Sequence, residues 1–263
     1  MGDHVKIPIH KTYSYANWDS FNVCRLFIKR YVGAEEYIND KKRYCLWLKN
    51  VSPKLYEDIP EIIARIRHVA AFRMKSPTKS VREDAKRPML FTQDRQPDTD
   101  YLIVPQVSSS TRKYIPVGFI SKEVIASNGV YIIPTSDIYM FGILTSSVHM
   151  DWMRVVSGRL KSDYRYSPAV YNNFPWPSAN EHQKNKIVKT AQKIIEVRSK
   201  HTDSSFAEMY GQNMYLYADL VDAHEANDRA VMEAYGFDKN MTEPEIVAEL
   251  MKMYQQLTEK QNN

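Results

Sequence analysis

The stretch Gly158-Arg-Leu-Lys-Ser-Asp-Tyr-Arg-Tyr-Ser167 separates two parts of the sequence that differ in pattern. Taken as one extended segment it alternates with a period of two, which predicts that its ionic side chains share one face. That face would carry Arg159, Lys161, Asp163 and Arg165, and the opposite face Leu160, Ser162, Tyr164 and Tyr166. The stretch therefore predicts a strand with one ionic surface.

The sequence before this stretch mixes helical and strand patterns. A helix is predicted from Pro60, with Ile62, Ile63, Ile66, Val69 and Ala70 on its inner face and Arg65, Arg67, Arg73 and Lys75 outside. Short β-branched and aromatic runs then predict strands at Tyr101–Val107, Tyr114–Ile120, Val130–Ile133 and Ile138–Leu144. A short helix is predicted over Ser147–Val156.

The sequence after Pro177 is helical. Ser178 and Glu181 have the spacing of a capping box at a helix start. A second amphipathic helix is predicted over Tyr215–Tyr235, ended by Gly236, and a third begins at Thr242. We expect an α+β protein: a mixed α/β domain with short strands over 26–176, then a small C-terminal helical bundle over 177–263. Residues 1–25 are expected to be a partly disordered lead-in.

Charge is distributed unevenly along the 263 residues. Through Trp176 there are 26 Lys and Arg against 17 Asp and Glu, whereas from Pro177 onward there are 10 against 14. A basic front part is typical of a surface that faces a polyanion, although such cations also simply keep a surface soluble. Two cysteines, Cys24 and Cys45, exclude a disulfide scaffold and suit the reducing cytoplasm. No apolar run is long enough to span a membrane.

Several chemistries lack their motifs in this sequence. It contains no G-x-G-x-x-G, phosphate-binding P-loop, H-E-x-x-H or G-x-S-x-G pattern. The seven histidines show no metal-ligand spacing, so no metal site is expected. Asn173-Phe174-Pro175-Trp176 has the wrong residue order for an amino-methyltransferase loop. No complete active site is recognisable.

Two segments have the composition of a nucleic-acid contact. Lysine donates to guanine O6 and N7, aspartate accepts from cytosine N4, and arginine contacts bases or phosphates, so Arg159–Arg165 suits a major groove. The hydroxyls and cations of Ser108, Ser109, Arg112 and Lys113 suit a loop that contacts phosphates. The alternative is a surface strand whose opposite charges pair with each other, which the pattern alone favours.

Six ordered motifs resemble one known family. They are Val32–Ile38, Lys42–Leu48, Phe91–Pro97, Tyr114–Phe119, Gly158–Ser167 and Asn172–Pro177. Together they resemble the C-terminal part of large single-chain bacterial DNA methyltransferases of the type IIG/IIL restriction-modification family, over about Leu26 to Tyr254. In that family a methyltransferase domain precedes a target recognition domain and a helical tail, and this sequence resembles the last two.

The resemblance implies roles for particular residues. Lys161 and Asp163 match positions that vary when the base pair read changes, and Arg165 lies beside them. As a donor and an acceptor, Lys161 and Asp163 would read a G·C pair. Asn128 and Gly129 match a second variable region. Phosphate contacts are expected from Arg159, Ser108, Ser109, Arg112 and Lys113, and from Arg95 in the Phe91–Pro97 motif, whereas Gln106 stands where relatives often place a cation.

The resemblance also implies that DNA recognition and methyl transfer belong to different domains. This part would bind double-stranded DNA and have no cofactor or activity of its own. Adenine-N6 methylation from S-adenosylmethionine would belong to an upstream domain, with or without a fused nuclease. The alternatives are a free-standing specificity subunit, a protein-interaction module that binds no DNA, and an enzyme with an unlisted mechanism.

Overall fold

The structure is a computed structural model that describes residues 25–262, and their side chains as far as Glu259. The expected lead-in over residues 1–25 therefore lies, except for its last residue, outside the described part. The chain forms two compact units. In its described part, the first comprises residues 25–32, Lys42–Asp98 and Lys122–Ser127, and the second comprises Gly33–Lys41, Thr99–Ser121 and the chain from Asn128 onward.

The first unit packs helices beside a small sheet. Strand β1 (Ile28–Val32) pairs antiparallel with β2 (Tyr44–Leu46) and parallel with β6 (Ile125–Ala126). A 3₁₀ turn at Pro53–Leu55 leads to helices α2 (Pro60–Met74) and α3 (Lys79–Asp84). The main cluster of buried side chains comprises Phe27, Leu48, Tyr56, Ile59 and Ile62.

Helix α2 confirms its predicted start but not its predicted faces. Pro60 occupies the first turn, where its missing N–H and fixed φ are tolerated. Of the predicted inner face only Ile62 is fully buried. Arg73, predicted to lie outside, is 2% exposed. The prediction was wrong because the guanidinium finds backbone carbonyl acceptors inside the unit.

The second unit contains two three-stranded sheets. In one, β3 (Tyr101–Pro105) lies between β5 (Gly118–Ile120) and β7 (Val130–Ile133), antiparallel to both. In the other, β9 (Asp163–Arg165) lies between β4 (Val107–Ser108) and β8 (Gly158–Leu160), again antiparallel. Gln106 alone separates β3 from β4, so one chain segment passes directly from the first sheet into the second.

Two strand predictions in this unit need correction. The run Tyr114–Ile120 contributes only Gly118–Ile120 to a sheet, and it contains Pro116, which has no N–H for a ladder. The run Ile138–Leu144 is helix α4 and not a strand. Asp137 caps it by accepting from the backbone N–H of Tyr139, and the absent side chain at Gly142 admits Ile187 and Ala191.

Helices form the rest of the second unit. Besides α1 (Ala34–Ile38) and α4 they are α5 (Ser147–Val156), α6 (Pro168–Asn172), α7 (Glu181–Lys200), α8 (Phe206–Met209), α9 (Ala218–Tyr235) and α10 (Glu243–Asn262), with a 3₁₀ turn at Met214–Leu216. One large apolar core runs from the first sheet through α4 and α5 to α7, α9 and α10. The predicted α+β class is confirmed.

The helix ends follow the predicted chemistry, with one shift. Gly236 ends α9 with a φ of +73°, as glycine allows, and the Glu245 carboxylate accepts from the backbone N–H of Thr242 at the start of α10. The capping box of α7 was predicted two residues too early, because its partners are Asn180 and Gln183. Among the described residues, no helix has the length and apolar character needed to cross a membrane.

Candidate nucleic-acid interface

The ionic stretch after Gly158 is a β-hairpin. Strands β8 and β9 pair with Gly158 opposite Arg165, Arg159 opposite Tyr164 and Leu160 opposite Asp163. Lys161 and Ser162 form the two-residue loop, and Lys161 has a φ of +57°. The prediction of one continuous extended segment was therefore wrong.

The hairpin register changes which side chains share a face. Residues directly opposite each other in an antiparallel pair point to the same side, so Arg159 lies with Tyr164 and not with Asp163. Asp163 shares its face with Leu160 and Arg165. The predicted common face of Arg159, Lys161, Asp163 and Arg165 is thus corrected: Arg159 is on the opposite side and Lys161 is at the tip.

Arg159 is engaged within the hairpin. Its guanidinium carbon lies 3.9 Å from the centroid of the Tyr164 ring, and Nη1 donates to the carbonyl of Ser162 at 3.2 Å. Tyr164 is 9% exposed. These contacts support the hairpin next to its tip, where Leu160, Lys161 and Ser162 are exposed.

Asp163 joins the hairpin to the predicted phosphate loop. Its Oδ1 accepts from the backbone N–H of Ser110 at 3.2 Å, and the same carboxylate opposes the lowering of the pKa of Arg112 that burial causes. Within the loop, the hydroxyls of Ser109 and Thr111 are 2.9 Å apart. The structure therefore brings Asp163 and the loop residues Ser109–Lys113 together, although about fifty residues of chain separate them.

The loop residues differ in how accessible they are. Ser108 is 2% exposed, so its hydroxyl is not part of the loop surface and the predicted phosphate contact lacks a geometric basis. Arg112 is half-buried, and Lys113 is exposed with its ammonium 5.3 Å from the centroid of the Tyr114 ring. Lys113 is the loop cation most open to a ligand.

Gln106 connects the second predicted base-reading region to the hairpin. Its backbone N–H donates to the carbonyl of Gly129 at 3.1 Å, and its carbonyl accepts from the N–H of Tyr166 at 2.9 Å. Its side-chain amide donates to the Tyr131 hydroxyl at 3.1 Å. Asn128 is exposed next to this connection. Gln106 thus makes structural hydrogen bonds at the position where the resembled family often has a cation.

Arg95 lies in the first unit. It is exposed, and its Nη2 donates to the side-chain oxygen of Gln93 at 2.6 Å. Arg165, like the hairpin tip, is exposed in the second unit. The predicted contact residues are therefore distributed over both units.

Sequence reasoning missed Arg154. Its Nη1 lies 2.7 Å from Oδ1 of Asp151 on α5 and 3.2 Å from Oε2 of Glu243 on α10, and its Nη2 donates to the carbonyl of Lys113 at 3.2 Å. Arg154 therefore links helix α10 to the end of the Ser109–Lys113 loop. The sequence contains one sign of this role, because Asp151 is an acidic residue three positions before Arg154 on a mostly apolar helix.

The buried ionisable groups serve the core of the second unit. The Tyr114 hydroxyl donates to Oδ2 of Asp228 at 2.6 Å, and the N–H of Ser147 donates to Oδ1 at 2.8 Å. Burial raises the pKa of Asp228, and burial lowers the pKa of His149 to about 3. Within the described part of the chain, no three His, Cys, Asp or Glu side chains are grouped to hold a metal ion.

Comparisons with known proteins identify the family of this chain. The family described as "MmeI, target recognition domain" matches residues 11–178, and "MmeI, C-terminal domain" matches 179–261. The chain is 37% identical over 236 residues to DNA methyltransferase A of Bacillus subtilis (strain 168), covering 89% of this chain and 26% of that protein. A solved structure of the type IIL restriction-modification enzyme MmeI in complex with DNA superposes with a TM-score of 0.87 at 39% identity, covering 94% of this chain and 34% of that one. The chain thus spans about a quarter to a third of these relatives.

Proposed function

The chain belongs to the family defined by the MmeI target recognition and C-terminal domains, and we propose that it reads the DNA target site of a restriction-modification methyltransferase. The observation that carries this proposal is the β8–β9 hairpin, which presents Lys161 at an exposed tip and Asp163 directly beside the loop that ends in Lys113. A two-stranded ribbon fits the major groove of B-form DNA. The similar MmeI structure contains DNA.

We assign base reading to the hairpin tip and backbone contacts to its surroundings. Lys161 donates to guanine and Asp163 accepts from cytosine, and Arg165 and the Asn128–Gly129 turn contribute beside them. Ser109, Arg112, Lys113, Arg159 and Arg95 contact phosphates, which set the register without carrying sequence information. Asp163 must keep its bond to Ser110 while it accepts from a base, and a carboxylate has enough lone pairs for both.

We assign methyl transfer to another part of a longer protein. The relatives are three to four times as long as the stretch matched here. An adenine-N6 methyltransferase domain that binds S-adenosylmethionine would precede this chain and take the target base out of the duplex. The protein would act in the cytoplasm, where its DNA substrate is. Incubated alone with DNA and labelled S-adenosylmethionine, the chain should transfer no methyl group, and robust transfer would contradict this assignment.

The test of base reading is selection from a randomised duplex library. The chain should enrich one motif, and the double variant Lys161→Gln with Asp163→Asn should change the preference at one base pair, by about 1–3 kcal/mol of discrimination. The amide that replaces the Asp163 carboxylate keeps an oxygen for the Ser110 N–H, so the hairpin contact survives.

The matched control is Asp238→Asn with Lys239→Gln. This exposed pair lies between α9 and α10 and receives the same two changes. The control should enrich the wild-type motif. An unchanged motif in the Lys161/Asp163 variant, or an equal change in both variants, would contradict base reading by the hairpin.

A further inference from the structure

The first unit carries a cationic segment, residues 75–90, that the proposed base reading does not use. It follows α2, includes α3 and ends before Phe91. The described part of the first unit contains seventeen Lys and Arg residues and only eight Asp and Glu residues. An excess of cations this large is typical of a surface that meets a polyanion, and it also occurs on surfaces that are merely soluble. The contacts inside the segment show which of its cations are already engaged within the described part of the protein.

Two arginines, Arg73 on α2 and Arg82 on α3, donate hydrogen bonds to the backbone of the cationic segment. Nη1 of Arg73 donates to the carbonyls of Asp84 at 3.0 Å and Arg87 at 3.1 Å, and its Nη2 donates to that of Leu90 at 2.8 Å. Arg82 donates through Nη1 to the carbonyls of Ser76 and Pro77, both at 2.8 Å. Charge-assisted bonds to several carbonyls fix the path of a segment that has few apolar side chains.

Three lysines point outward from this fixed backbone. Lys75, Lys79 and Lys86 are exposed. Within residues 25–262, Lys75 and Lys86 have no ion-pair partner. Lys79 is paired with the Glu83 carboxylate at a long distance of 4.0 Å, and 86% of its side chain is exposed. The carboxylate of Asp84 is engaged by Arg87 at 2.7 Å. Lys75 and Lys86 are therefore left unneutralised, and Lys79 has only a long, solvent-exposed ion pair with Glu83.

We propose that Lys75, Lys79 and Lys86 form a second contact surface for the phosphate backbone of double-stranded DNA. Lysine is a flexible point charge that binds phosphate without base selectivity. The surface would add affinity for any duplex and leave the choice of site to the hairpin. This inference rests on the proposed function, and it extends the contacts of the first unit beyond Arg95.

The experiment compares the salt dependence of duplex binding. The probe is a fluorescent duplex of mixed sequence that lacks the selected motif, titrated with the full chain in 50 to 200 mM KCl. The test variant carries Lys→Gln at positions 75, 79 and 86. The control carries Lys→Gln at 189, 193 and 200, exposed lysines of α7, which changes the net charge equally.

The slope of log K against log salt should become less negative by about 0.9 per lost phosphate contact, or by about 2.7 for three. Over the fourfold range of salt, the test variant should then lose about 40-fold less affinity than the wild type. The control should keep the wild-type slope. Equal slopes in test variant and wild type would overturn the proposal, and so would equal changes in test variant and control.

The outcome is separable from that of the proposed function. If the test variant changes the slope but the wild type enriches no motif, the cationic surface stands and base reading fails. If the wild type enriches a motif and the test variant keeps its slope, base reading stands and the surface fails. Unfolding curves of the variants check that the three surface substitutions leave the fold intact.

Discussion

Arg73 is only 2% exposed, and its environment explains why a guanidinium is tolerated there. The guanidinium donates to three backbone carbonyls, which is the kind of compensation that a buried cation requires. Positions 62, 66, 69 and 73 share one helix face, so the periodicity alone placed Arg73 inward. Its charge nevertheless led to the prediction that Arg73 lies outside. The carbonyl groups that accept its hydrogen bonds are 11 to 17 residues further along the chain, and helix periodicity does not reveal them.

Arg73→Ala should destabilise the first unit by about 3 kcal/mol, because it removes three charge-assisted bonds and leaves carbonyls unsatisfied. Arg73→Lys should recover only part of this loss, since one ammonium lacks the fork of the guanidinium. Arg67→Ala, at an exposed position of the same helix, should cost less than about 0.5 kcal/mol. Urea unfolding measures all three, and equal losses for Arg73→Ala and Arg67→Ala would contradict the role of Arg73.

Lys161 is strained by its left-handed backbone. A non-glycine residue at positive φ costs about 1 kcal/mol, and a β-branched residue costs more. Lys161→Gly should therefore keep or slightly raise stability, and Lys161→Val should lower it by about 1 kcal/mol. Ser162→Gly is the matched change at the other loop position, whose φ is not positive, and it should be destabilising. Thermal unfolding distinguishes these outcomes.

At the level of elements, those with a clear apolar period or β-branched composition were predictable, whereas α4 and the hairpin were not. Helix α5 and strand β7 have the predicted bounds, and α9 begins three residues after its predicted start. Helix α4 was assigned as a strand because seven mostly apolar residues have no usable period. The hairpin was assigned as one strand because Lys161-Ser162 lacks the Asn-Gly or Asp-Gly signal of a tight turn.

Arg154 contacts both helix α10 and the Ser109–Lys113 loop, so its removal should affect both. Arg154→Ala leaves Asp151 buried without its cation and releases the Lys113 carbonyl, which should cost about 2 kcal/mol given that the pair is partly exposed. The amides of residues 109–113 should also exchange hydrogen faster. Arg229→Ala, which removes an exposed arginine of α9, should change neither quantity. If amide hydrogen exchange in the loop is unchanged in the Arg154→Ala variant, the loop does not depend on Arg154 for its stability.

At the scale of the whole molecule, the candidate site depends on contacts between distant parts of the sequence. Lys161 and Asp163 were singled out from the sequence, and whether they read bases stays a prediction. The bonds from Asp163 to Ser110 and from Arg154 to Lys113 and Glu243 span about 40 to 90 residues. Such contacts form only when the two parts of the chain fold together, so local patterns carry no trace of them.

Stability should depend on pH through the buried acid Asp151. Burial raises the pKa of Asp151 to about 7, above its usual value in an unfolded chain. The folded state therefore holds this proton more tightly, and its contribution to stability is present at low pH and is lost as pH rises through about 7. Relative to the wild type, Asp151→Asn should become steadily more stable between about pH 4 and about pH 7.

The comparison with the variant isolates this effect, because the lowered pKa of the buried His149 gives the wild type an opposing dependence over much of the same pH range. Asp203→Asn, an exposed control, should differ from the wild type by the same amount at every pH. Free energies of unfolding at several pH values measure both differences. A constant difference for Asp151→Asn would contradict the predicted titration.

The two-residue loop of the hairpin also bears on how such proteins diversify. Its side chains face solvent, whereas Arg159 and Tyr164 behind it maintain the shape. An exchange at the tip therefore costs the fold little, while an insertion there would shift the register of both strands. Under the proposed base reading, new target preferences should therefore arise in related proteins by point substitution at constant length.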